Sequence, residues 1–321
     1  MTATEDLTRT EAWLAAARPH TLPAAAAPVV VGTGLAAHEG VFAPLPALAA
    51  LVGAVLIQVG TNFANDYYDA VKGVDEQQSA GYTRVTQAGL IPAPRVKAAM
   101  VATFGLAILV GVYLVVVGGL PIVAIGLAGV ASGWAYAGGP YPLGSHGLGD
   151  LFVFVWFGLV AVTGTFYVQA AAAAGAAGSV PLGPLSLYGA PPAGTVPLVA
   201  LVASLPAAGL NTNILVVNNL RDLEDDRRAG KRTLATVVGY RWSRVEYAAN
   251  VALAYLAPAG LVVAFGFDPV VLLPLGTVPF AAMVTRTVWT ETDERALNPA
   301  LERTGKLLAA HSLLFAVGMV V

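Results

Sequence analysis

Charge is scarce in this chain, and cysteine is absent. Only 11% of the 321 residues are charged and 57% are hydrophobic, whereas about 25% of a typical soluble domain is charged. This composition excludes an ordinary water-soluble globule, and it is the opposite of the polar composition that is typical of disorder. The absence of cysteine excludes disulfides, thiolate catalysis and cysteine-ligated zinc.

The chain also has no overall basic field and no basic leader. The net charge of −2 argues against nucleic acid as the main partner. The first residues include Glu5, Asp6 and Glu11 instead of the basic start and short apolar core of a cleavable signal peptide, so we expect this segment to persist. Only four histidines accompany 19 acidic residues, which predicts that any metal site is rich in oxygen ligands.

Long uncharged apolar stretches are what the chain has in abundance. A bilayer core requires about 20 helical residues, and eight stretches are long enough: 21–37, 44–64, 98–117, 119–138, 151–172, 197–217, 247–266 and 269–285. A ninth stretch, Leu307 to Val321, ends at the C-terminus. The apolar runs are continuous and do not alternate with period two, which favours helices over barrel strands. We therefore predict an all-α polytopic membrane protein, a single domain over residues 1–321 with nine transmembrane helices.

The basic residues give this arrangement an orientation. All 17 of them fall in the N-terminal segment or in the connections after the second, sixth and eighth spans. These four segments lie on one side of the membrane if all eight stretches cross it, and lysine and arginine accumulate on the cytoplasmic side. We therefore expect an integral protein of the cytoplasmic membrane with its N-terminus in the cytoplasm.

An acidic motif follows the second span. On a helix, Asn62, Asp66 and Asp69 of the sequence NFANDYYD share one face, because they are spaced at i, i+4 and i+7. Lys72 follows directly. Ionisable groups that cluster at the end of a membrane helix are costly to place and are therefore candidates for a functional site.

A second acidic motif follows the sixth span. Asn218, Asp222 and Asp226 repeat at i, i+4 and i+8, which predicts one helix face again. Taken alone, the run DLEDDRRAGKR is equally consistent with a solvated, salt-bridged loop. Because both motifs stand at the same end of even-numbered spans, we expect two similar halves of four helices, with the motifs facing each other across a central cavity.

These side chains suit a magnesium-bound diphosphate. Mg²⁺ prefers carboxylates together with the phosphate oxygens of a substrate, and gathered carboxylates repel one another until a cation or proton relieves the repulsion. Basic side chains near the motifs supply countercharge for a diphosphate, and arginine can bind phosphate through two hydrogen bonds. These basic residues are Lys72, Arg84, Arg221, Lys231 and Arg232.

Several motifs together resemble the UbiA superfamily of intramembrane prenyltransferases. They are the stretch from Trp13 to Leu22, NFANDYYD at 62–69, GGPYPLG at 138–144 and NNLRDLEDDRRAGKRTLA at 218–235. The last two resemble more narrowly the branch that prenylates 1,4-dihydroxy-2-naphthoate in menaquinone biosynthesis. Asp150 departs from that pattern, because a glutamate is expected there.

The resemblance implies a reaction and a role for each motif residue. It implies Mg²⁺-dependent transfer of a polyprenyl group from polyprenyl diphosphate to 1,4-dihydroxy-2-naphthoate, giving demethylmenaquinol, pyrophosphate and CO₂. An apolar cavity between the helices would hold the prenyl tail and exclude water. The implied magnesium ligands are Asp66, Asp69, Asp222 and Asp226, assisted by Asn62 and Asn218. The implied diphosphate contacts are Lys72, Arg84, Arg221, Lys231 and Arg232.

Four further residues have a structural and a functional interpretation. Arg18 is either a cytoplasmic anchor before the first span or a contact of the acceptor or diphosphate. Tyr136 and Tyr141 flank a glycine-rich turn, where they are either interface anchors or residues that orient the acceptor or stabilise a cation. Asn213 within the sixth span either bonds a neighbouring helix or assists the acidic face.

Two alternatives stay open at this point. The acceptor could be a different aromatic molecule, such as 4-hydroxybenzoate or a tetrapyrrole. A different class of protein, a cation or organic-anion transporter, would use membrane carboxylates as ion sites. Transporter sites usually lie near the bilayer midplane, whereas both acidic motifs here follow the ends of spans.

Overall fold

The computed structural model describes residues 8–72, 85–137, 146–176 and 196–321. Within these ranges there is no β-strand, and strand-like pairing occurs only as an isolated bridge between His146 and Arg232. The predicted all-α class is confirmed.

The described residues form twelve α-helices. In chain order these are α1 (Arg9–Ala17), α2 (Leu22–His38), α3 (Pro44–Lys72), α4 (Ala93–Gly118), α5 (Leu120–Ala137), α6 (Gly149–Phe154), α7 (Ala161–Ala176), α8 (Leu198–Arg221), α9 (Leu223–Arg228), α10 (Leu234–Phe265), α11 (Val278–Thr290) and α12 (Glu294–Val320). A 3₁₀ turn at Pro19–Thr21 precedes α2, a π-helical segment at Val155–Val160 joins α6 to α7, and a 3₁₀ segment at Pro269–Thr277 precedes α11.

Within the described residues, helices cover most of each of the nine predicted stretches. Among the described residues, seven segments are long and apolar enough to cross a membrane: Arg9–His38, Pro44–Tyr68, Ala93–Gly118, Gly149–Gly175, Leu198–Arg221, Leu234–Phe265 and Pro269–Thr290. The fourth predicted stretch contains the shorter apolar helix Leu120–Ser132, and the ninth is the C-terminal part of α12. The chain is therefore an integral membrane protein, and the count of nine crossing helices stays a prediction.

The core lies where α2, α7, α8 and α12 meet. Leu35, Phe166, Ala203 and Phe315, one from each helix, are buried in a single apolar cluster. Of the residues in the apolar segment of α8, 72% are buried within the protein, whereas only 6% of those in the apolar segment of α4 are buried. The sixth predicted span, which leads into the second acidic motif, is therefore central, whereas α4 is exposed along most of its length.

Small residues bring the π-helical segment close to α8. Gly158 lies directly against Ala208, where a Cβ atom on Gly158 would overlap the Cα and Cβ of Ala208. One turn further along α8, Asn211 donates its Nδ2 to the carbonyl of Phe157 at 2.9 Å. A π-helical turn disturbs the regular backbone bonding, and a neighbouring side chain here satisfies one of its carbonyls away from water.

This contact predicts that Gly158→Ala destabilises the protein. Overpacking of this kind typically costs about 1–3 kcal/mol, so the melting temperature of the detergent-purified protein should fall. Gly105→Ala on α4 is the matched control, because no atom lies within 4 Å of the Cβ position. Equal melting temperatures for the two variants would show that the α8 contact is not tight.

Candidate active site

The first acidic motif lies on an unbroken helix. Because α3 continues to Lys72, Asn62 and Asp66 stand one turn apart near its C-terminal end. Both are buried, and only 1% of Asp66 is exposed. A carboxylate buried this deeply requires a partner that stabilises its charge.

Neutral donors account for the described contacts of Asp66. Thr86 donates its backbone N–H to Oδ2 of Asp66 at 3.2 Å and its hydroxyl to the same oxygen. No lysine or arginine whose side chain the structure describes forms an ion pair with Asp66. This buried carboxylate therefore fits a site for a divalent cation. Sequence reasoning missed Thr86, although its position two residues after the predicted diphosphate contact Arg84 was a usable signal.

Asn62 connects the first motif to the N-terminal segment. Its Nδ2 donates to the carbonyl of Ala17 at 2.8 Å and to Oγ1 of Thr21 at 2.9 Å. The amide nitrogen is therefore used to hold the turn before α2, which leaves Oδ1 as the atom that could bind a cation. Its role as a magnesium ligand stays a prediction.

The same turn places Arg18 beside the first motif. Arg18 follows Ala17, whose carbonyl Asn62 contacts, and it ends α1 in the left-handed region at φ 50°. Its carbonyl accepts two hydrogen bonds from Thr21, from the backbone N–H and from Oγ1, both at 2.9 Å. A rare backbone conformation that is stabilised by several bonds is often found near functional sites.

The second motif contains a break that the sequence did not indicate. The helix is interrupted between Asn218 and Asp226, because α8 ends at Arg221 and Asp222 separates it from α9. The i, i+4 spacing of the backbone hydrogen bonds nevertheless continues across this break. The N–H of Asp222 donates to the carbonyl of Asn218 at 3.1 Å, and the N–H of Asp226 donates to the carbonyl of Asp222 at 2.8 Å.

Arg221 holds Asp222 in place through two parallel bonds. Its Nε lies 2.6 Å from Oδ1 of Asp222, and its Nη2 lies 2.7 Å from Oδ2. The same guanidinium donates to Oδ1 of Asn218 at 2.9 Å and to Oδ1 of Asn298 on α12 at 3.0 Å. Arg221 was predicted to contact diphosphate, and here it joins the motif to α12. Sequence reasoning missed Asn298, which is remote in the chain.

Asp226 pairs with Lys231 across a tight turn. The Nζ of Lys231 lies 2.9 Å from Oδ1 of Asp226, which is buried, whereas 58% of the lysine side chain is exposed. Gly230 occupies the left-handed region at φ 70°, and Thr233 caps α10 by accepting the N–H of Thr236. The turn formed by the GKRT sequence thus brings an exposed cationic side chain back to a buried carboxylate. The exposed Arg232 follows, paired through its backbone with His146.

Asn213 has an interhelical role in this structure. Its Nδ2 donates to the carbonyl of Tyr247 at 3.0 Å, and its Oδ1 accepts from Nδ2 of Asn250 at 3.0 Å. Both amide atoms therefore join α8 to α10, as the structural interpretation of this residue predicts. Contact between Asn213 and a substrate stays a prediction without support from these bonds.

Part of the predicted site lies outside the described residues or side chains. Asp69, Lys72 and Tyr136 have helical backbones whose side chains are not described, and Arg84 and Tyr141 lie outside the described ranges. Within those ranges, no three acidic or histidine side chains form a group that could hold a metal ion. The meeting of the two motifs over one magnesium ion therefore stays a prediction.

A cavity of about 470 Å³ lies between α10 and α11. Its walls include Val251, Tyr255, Ala281 and Trp289, with Arg286 among the lining residues. No residue of either acidic motif contributes to these walls. This crevice therefore does not locate the predicted central cavity for a prenyl tail.

An all-α bundle with seven described segments long and apolar enough to cross a membrane, and with buried acids near the end of α3 and just beyond α8, defines a polytopic membrane protein. The UbiA prenyltransferase family matches residues 25–308, and the chain belongs to this family. It is a prenyltransferase, so the transporter alternative is set aside.

Relatives match nearly the whole chain. The 1,4-dihydroxy-2-naphthoate octaprenyltransferase of Escherichia coli (strain K12) is 35% identical over 98% of this chain and 97% of its own length. The protein of the same name from Mycobacterium tuberculosis (strain ATCC 25618 / H37Rv) is 35% identical over 94% of each chain.

Solved structures share the fold. The apo structure of a UbiA homolog from Aeropyrum pernix K1 has a TM-score of 0.64 at 14% identity and covers 94% of this chain and 97% of its own. A UbiA homolog from Archaeoglobus fulgidus, described as bound to DMAPP and Mg²⁺, has a TM-score of 0.54 at 13% identity and covers 95% and 99%.

The Arg221 network predicts a specific loss of stability in Arg221→Lys. Lysine keeps the charge but cannot form two parallel bonds to Asp222 while reaching Asn298. Loss of these bonds should lower the free energy of unfolding by about 1–3 kcal/mol, measured as a lower melting temperature in detergent. Arg228→Lys is the matched control, since its pair with Asp225 is solvent-exposed and contributes little. A melting temperature as high as that of the control would contradict the bridging role.

Proposed function

We propose that the protein transfers a polyprenyl group from polyprenyl diphosphate to 1,4-dihydroxy-2-naphthoate, giving demethylmenaquinol, pyrophosphate and CO₂. The observation that carries the site assignment is the buried Asp66, which has only neutral described donors at the end of a membrane helix. The acceptor rests on full-length relatives that carry this activity in their names. The basic connections support an opening toward the cytoplasm.

The proposed magnesium ligands are the oxygens of the two motifs. Bound Mg²⁺ would neutralise the negative charge that grows on the diphosphate as the allylic C–O bond breaks. The solved UbiA homolog described as bound to DMAPP and Mg²⁺ supports this choice of metal. The side chains proposed to hold the metal are Asp66, Asp69, Asp222, Asp226 and Asn62.

Basic side chains at the motifs are proposed to hold the diphosphate. Lys231 is suited to this role because its exposed ammonium can move from Asp226 to a phosphate oxygen without unfolding the turn. Arg221 is more constrained, so it positions Asp222 and contributes positive charge from a fixed location. The remaining proposed contacts are Arg18, Lys72, Arg84, Asn218 and Arg232, with Asn213 retained from the sequence prediction.

Aromatic and apolar groups are proposed to protect the reacting carbon. An allylic cation is stabilised by the faces of aromatic rings, a role we assign to Tyr136 and Tyr141 beside the glycine-rich motif. The apolar walls of the membrane helices would exclude water, which would otherwise capture the cation. The electron-rich ring of the acceptor is then the nucleophile that attacks the allylic cation.

The direct test is an assay of the detergent-purified protein with a polyprenyl diphosphate, Mg²⁺ and one aromatic acid at a time. With 1,4-dihydroxy-2-naphthoate we expect pyrophosphate release, CO₂ release and a prenylated naphthalenediol, and we expect a chelator to stop all three. With 4-hydroxybenzoate we expect no product. Product from 4-hydroxybenzoate alone would replace the acceptor, and turnover in the presence of the chelator would remove the metal from the proposal.

Charge removal at either motif should abolish prenyl transfer. In Asp66→Asn and in Asp222→Asn a neutral amide replaces a proposed metal ligand, so we expect turnover to fall by at least about 100-fold. Melting temperatures near that of the unmodified protein would show that folding is intact. The matched control is Asp225→Asn, which removes an exposed carboxylate beside Asp226 and should retain activity. Substantial turnover in both motif variants would contradict the metal assignment.

Lys231→Ala separates diphosphate binding from acceptor binding. Loss of one charge-assisted bond should raise the KM for polyprenyl diphosphate by about tenfold or more, while the KM for the acceptor changes little. Lys306→Ala removes an exposed lysine that pairs with Glu302 at 2.6 Å and serves as control. Equal changes in both KM values would count against a phosphate contact.

A further inference from the structure

The crevice between α10 and α11 is bounded at both ends by polar contacts between the two helices. At one end, the hydroxyl of Tyr255 on α10 lies 2.7 Å from Oγ1 of Thr277, the residue before α11. At the other end, Arg244 on α10 donates to the carbonyls of Val288 and Glu291 at 3.0 and 2.7 Å. Backbone carbonyls at the end of a helix lack helical partners. These contacts therefore hold α10 against α11 at both ends of the crevice.

Small side chains leave a gap between the two contacts. Arg244 and Tyr255 are about 16 Å apart along α10, at about 1.5 Å of rise per residue. Between them, Ala281 and Ala282 of α11 line the crevice, together with Val251 of α10. Alanine side chains are too short to fill this space, which has a volume of about 470 Å³. The gap is thus a consequence of the sequence of α11.

The crevice opens on the outer surface of the bundle. Val278 and Trp289 line it, and their exposed fractions are 41% and 48%. Both helices belong to segments that are long and apolar enough to cross a membrane, so this surface faces the bilayer. An unfilled apolar gap loses dispersion contacts, and a hydrocarbon chain from the bilayer restores them. The crevice is therefore suited to a lipid chain.

The polarity of the lining changes along α11. The apolar residues at 278–282 are followed by Thr285 and Arg286, and then by Trp289. Oγ1 of Thr285 is buried and has no hydrogen-bond partner among the described residues. Threonine in a helix has two accessible rotamers, so rotation about χ1 can turn this hydroxyl toward the crevice. The order of apolar side chains, hydroxyl and guanidinium matches the order of acyl chain, ester and phosphate in a phospholipid.

Arg286 gives the crevice a positive end. In the part of the chain that the structure describes, this exposed arginine forms no ion pair. Glu291, the acid nearest to it along the chain, accepts the hydroxyl of Thr290 at 3.2 Å. Arg244 contributes a second positive charge at the same end of the two helices. A guanidinium binds phosphate through two parallel bonds, and Trp289 is of a type that is enriched where bilayer meets water.

We infer that this crevice binds an anionic phospholipid, with an acyl chain between α10 and α11, an ester oxygen at Thr285 and the phosphate at Arg286. Basic pockets between membrane helices bind anionic head groups on the cytoplasmic side, and this end of α11 is predicted to lie there. A head group without an ammonium leaves the phosphate charge uncompensated, so Arg286 favours an anionic over a zwitterionic lipid. This site is independent of the proposed function.

A polyprenyl diphosphate also combines an apolar chain with phosphate, but it fits this crevice less well. Its diphosphate carries more negative charge, and the proposed site for it contains carboxylates that hold Mg²⁺. Among the described residues, no carboxylate lines the crevice. A single phosphate is matched by the one arginine in the lining, which favours the phospholipid.

The test measures lipid binding to the delipidated, detergent-purified full-length protein. Native mass spectrometry should show tighter binding of one phosphatidylglycerol than of phosphatidylcholine, and phosphatidylglycerol should raise the melting temperature more. Arg286→Gln should raise the apparent Kd for phosphatidylglycerol by at least about tenfold, because a charge-assisted bond is lost. Arg295→Gln is the matched control, since it removes an exposed arginine of α12. Equal binding of the two lipids, or equal Kd values for the two variants, would overturn the inference.

A second variant tests the location of the acyl chain. Ala282→Leu places a larger side chain at an exposed position in the crevice and should weaken binding of phosphatidylglycerol. Its melting temperature without lipid should stay unchanged, and Ala102→Leu on the exposed face of α4 is the control for added bulk. If Arg286→Gln does not fold, Ala282→Leu decides alone, and undiminished binding would overturn the inference.

Competition distinguishes the phospholipid from other phosphate-bearing ligands. Inorganic phosphate should not reproduce the rise in melting temperature, and polyprenyl diphosphate should not displace the bound phosphatidylglycerol. Stabilisation by inorganic phosphate alone would reduce the site to a simple anion contact. Displacement by polyprenyl diphosphate that is lost in Arg286→Gln would assign the crevice to the prenyl substrate. Either result would overturn the inference.

Discussion

The exclusion of water from the membrane interior is the constraint on which the rest of this structure depends. Each polar atom buried in the bundle must find a partner within the protein. The chain meets this demand with amide and hydroxyl groups that join helices, such as Asn213 to α10 and Asn211 to the π-helical segment. Charged residues, in contrast, lie beyond the ends of the long apolar stretches. The few acids that are buried there are for this reason the residues most informative about function.

The sequence predicted the class, the helices and the two acidic motifs, because each depends on a local signal. Continuous apolar runs require helices in a membrane, and the i, i+4 spacing of Asn62 and Asp66 places them on one face of α3. The seven segments that satisfy length and hydropathy agree with this interpretation. The last helix differs, since α12 begins thirteen residues before the predicted apolar stretch and carries charged residues in its first half.

Tertiary contacts and local breaks could not be predicted in the same way. Nothing in the run NNLRDLEDD indicates that the helix breaks at Asp222, because the break accompanies the bonds of Arg221 to Asp222 and to the distant Asn298. Thr86 could be noticed as a neighbour of Arg84, but its contact with Asp66 depends on how the connection after α3 returns.

The two motifs differ in how their carboxylates are neutralised, and this difference bears on how a substrate enters. Asp66 accepts only neutral hydrogen bonds from described residues, whereas Asp222 and Asp226 each pair with a cation. Under the proposed function, the second motif already contains its countercharge, and the exposed Lys231 can exchange a carboxylate oxygen for a phosphate oxygen with little change in net interaction. The first motif has no such internal exchange among the described residues, so a divalent cation would contribute more binding free energy there. Under the proposed function, metal and diphosphate would stabilise each other's binding, because the cation would neutralise Asp66 and the diphosphate would replace the carboxylate that Lys231 leaves.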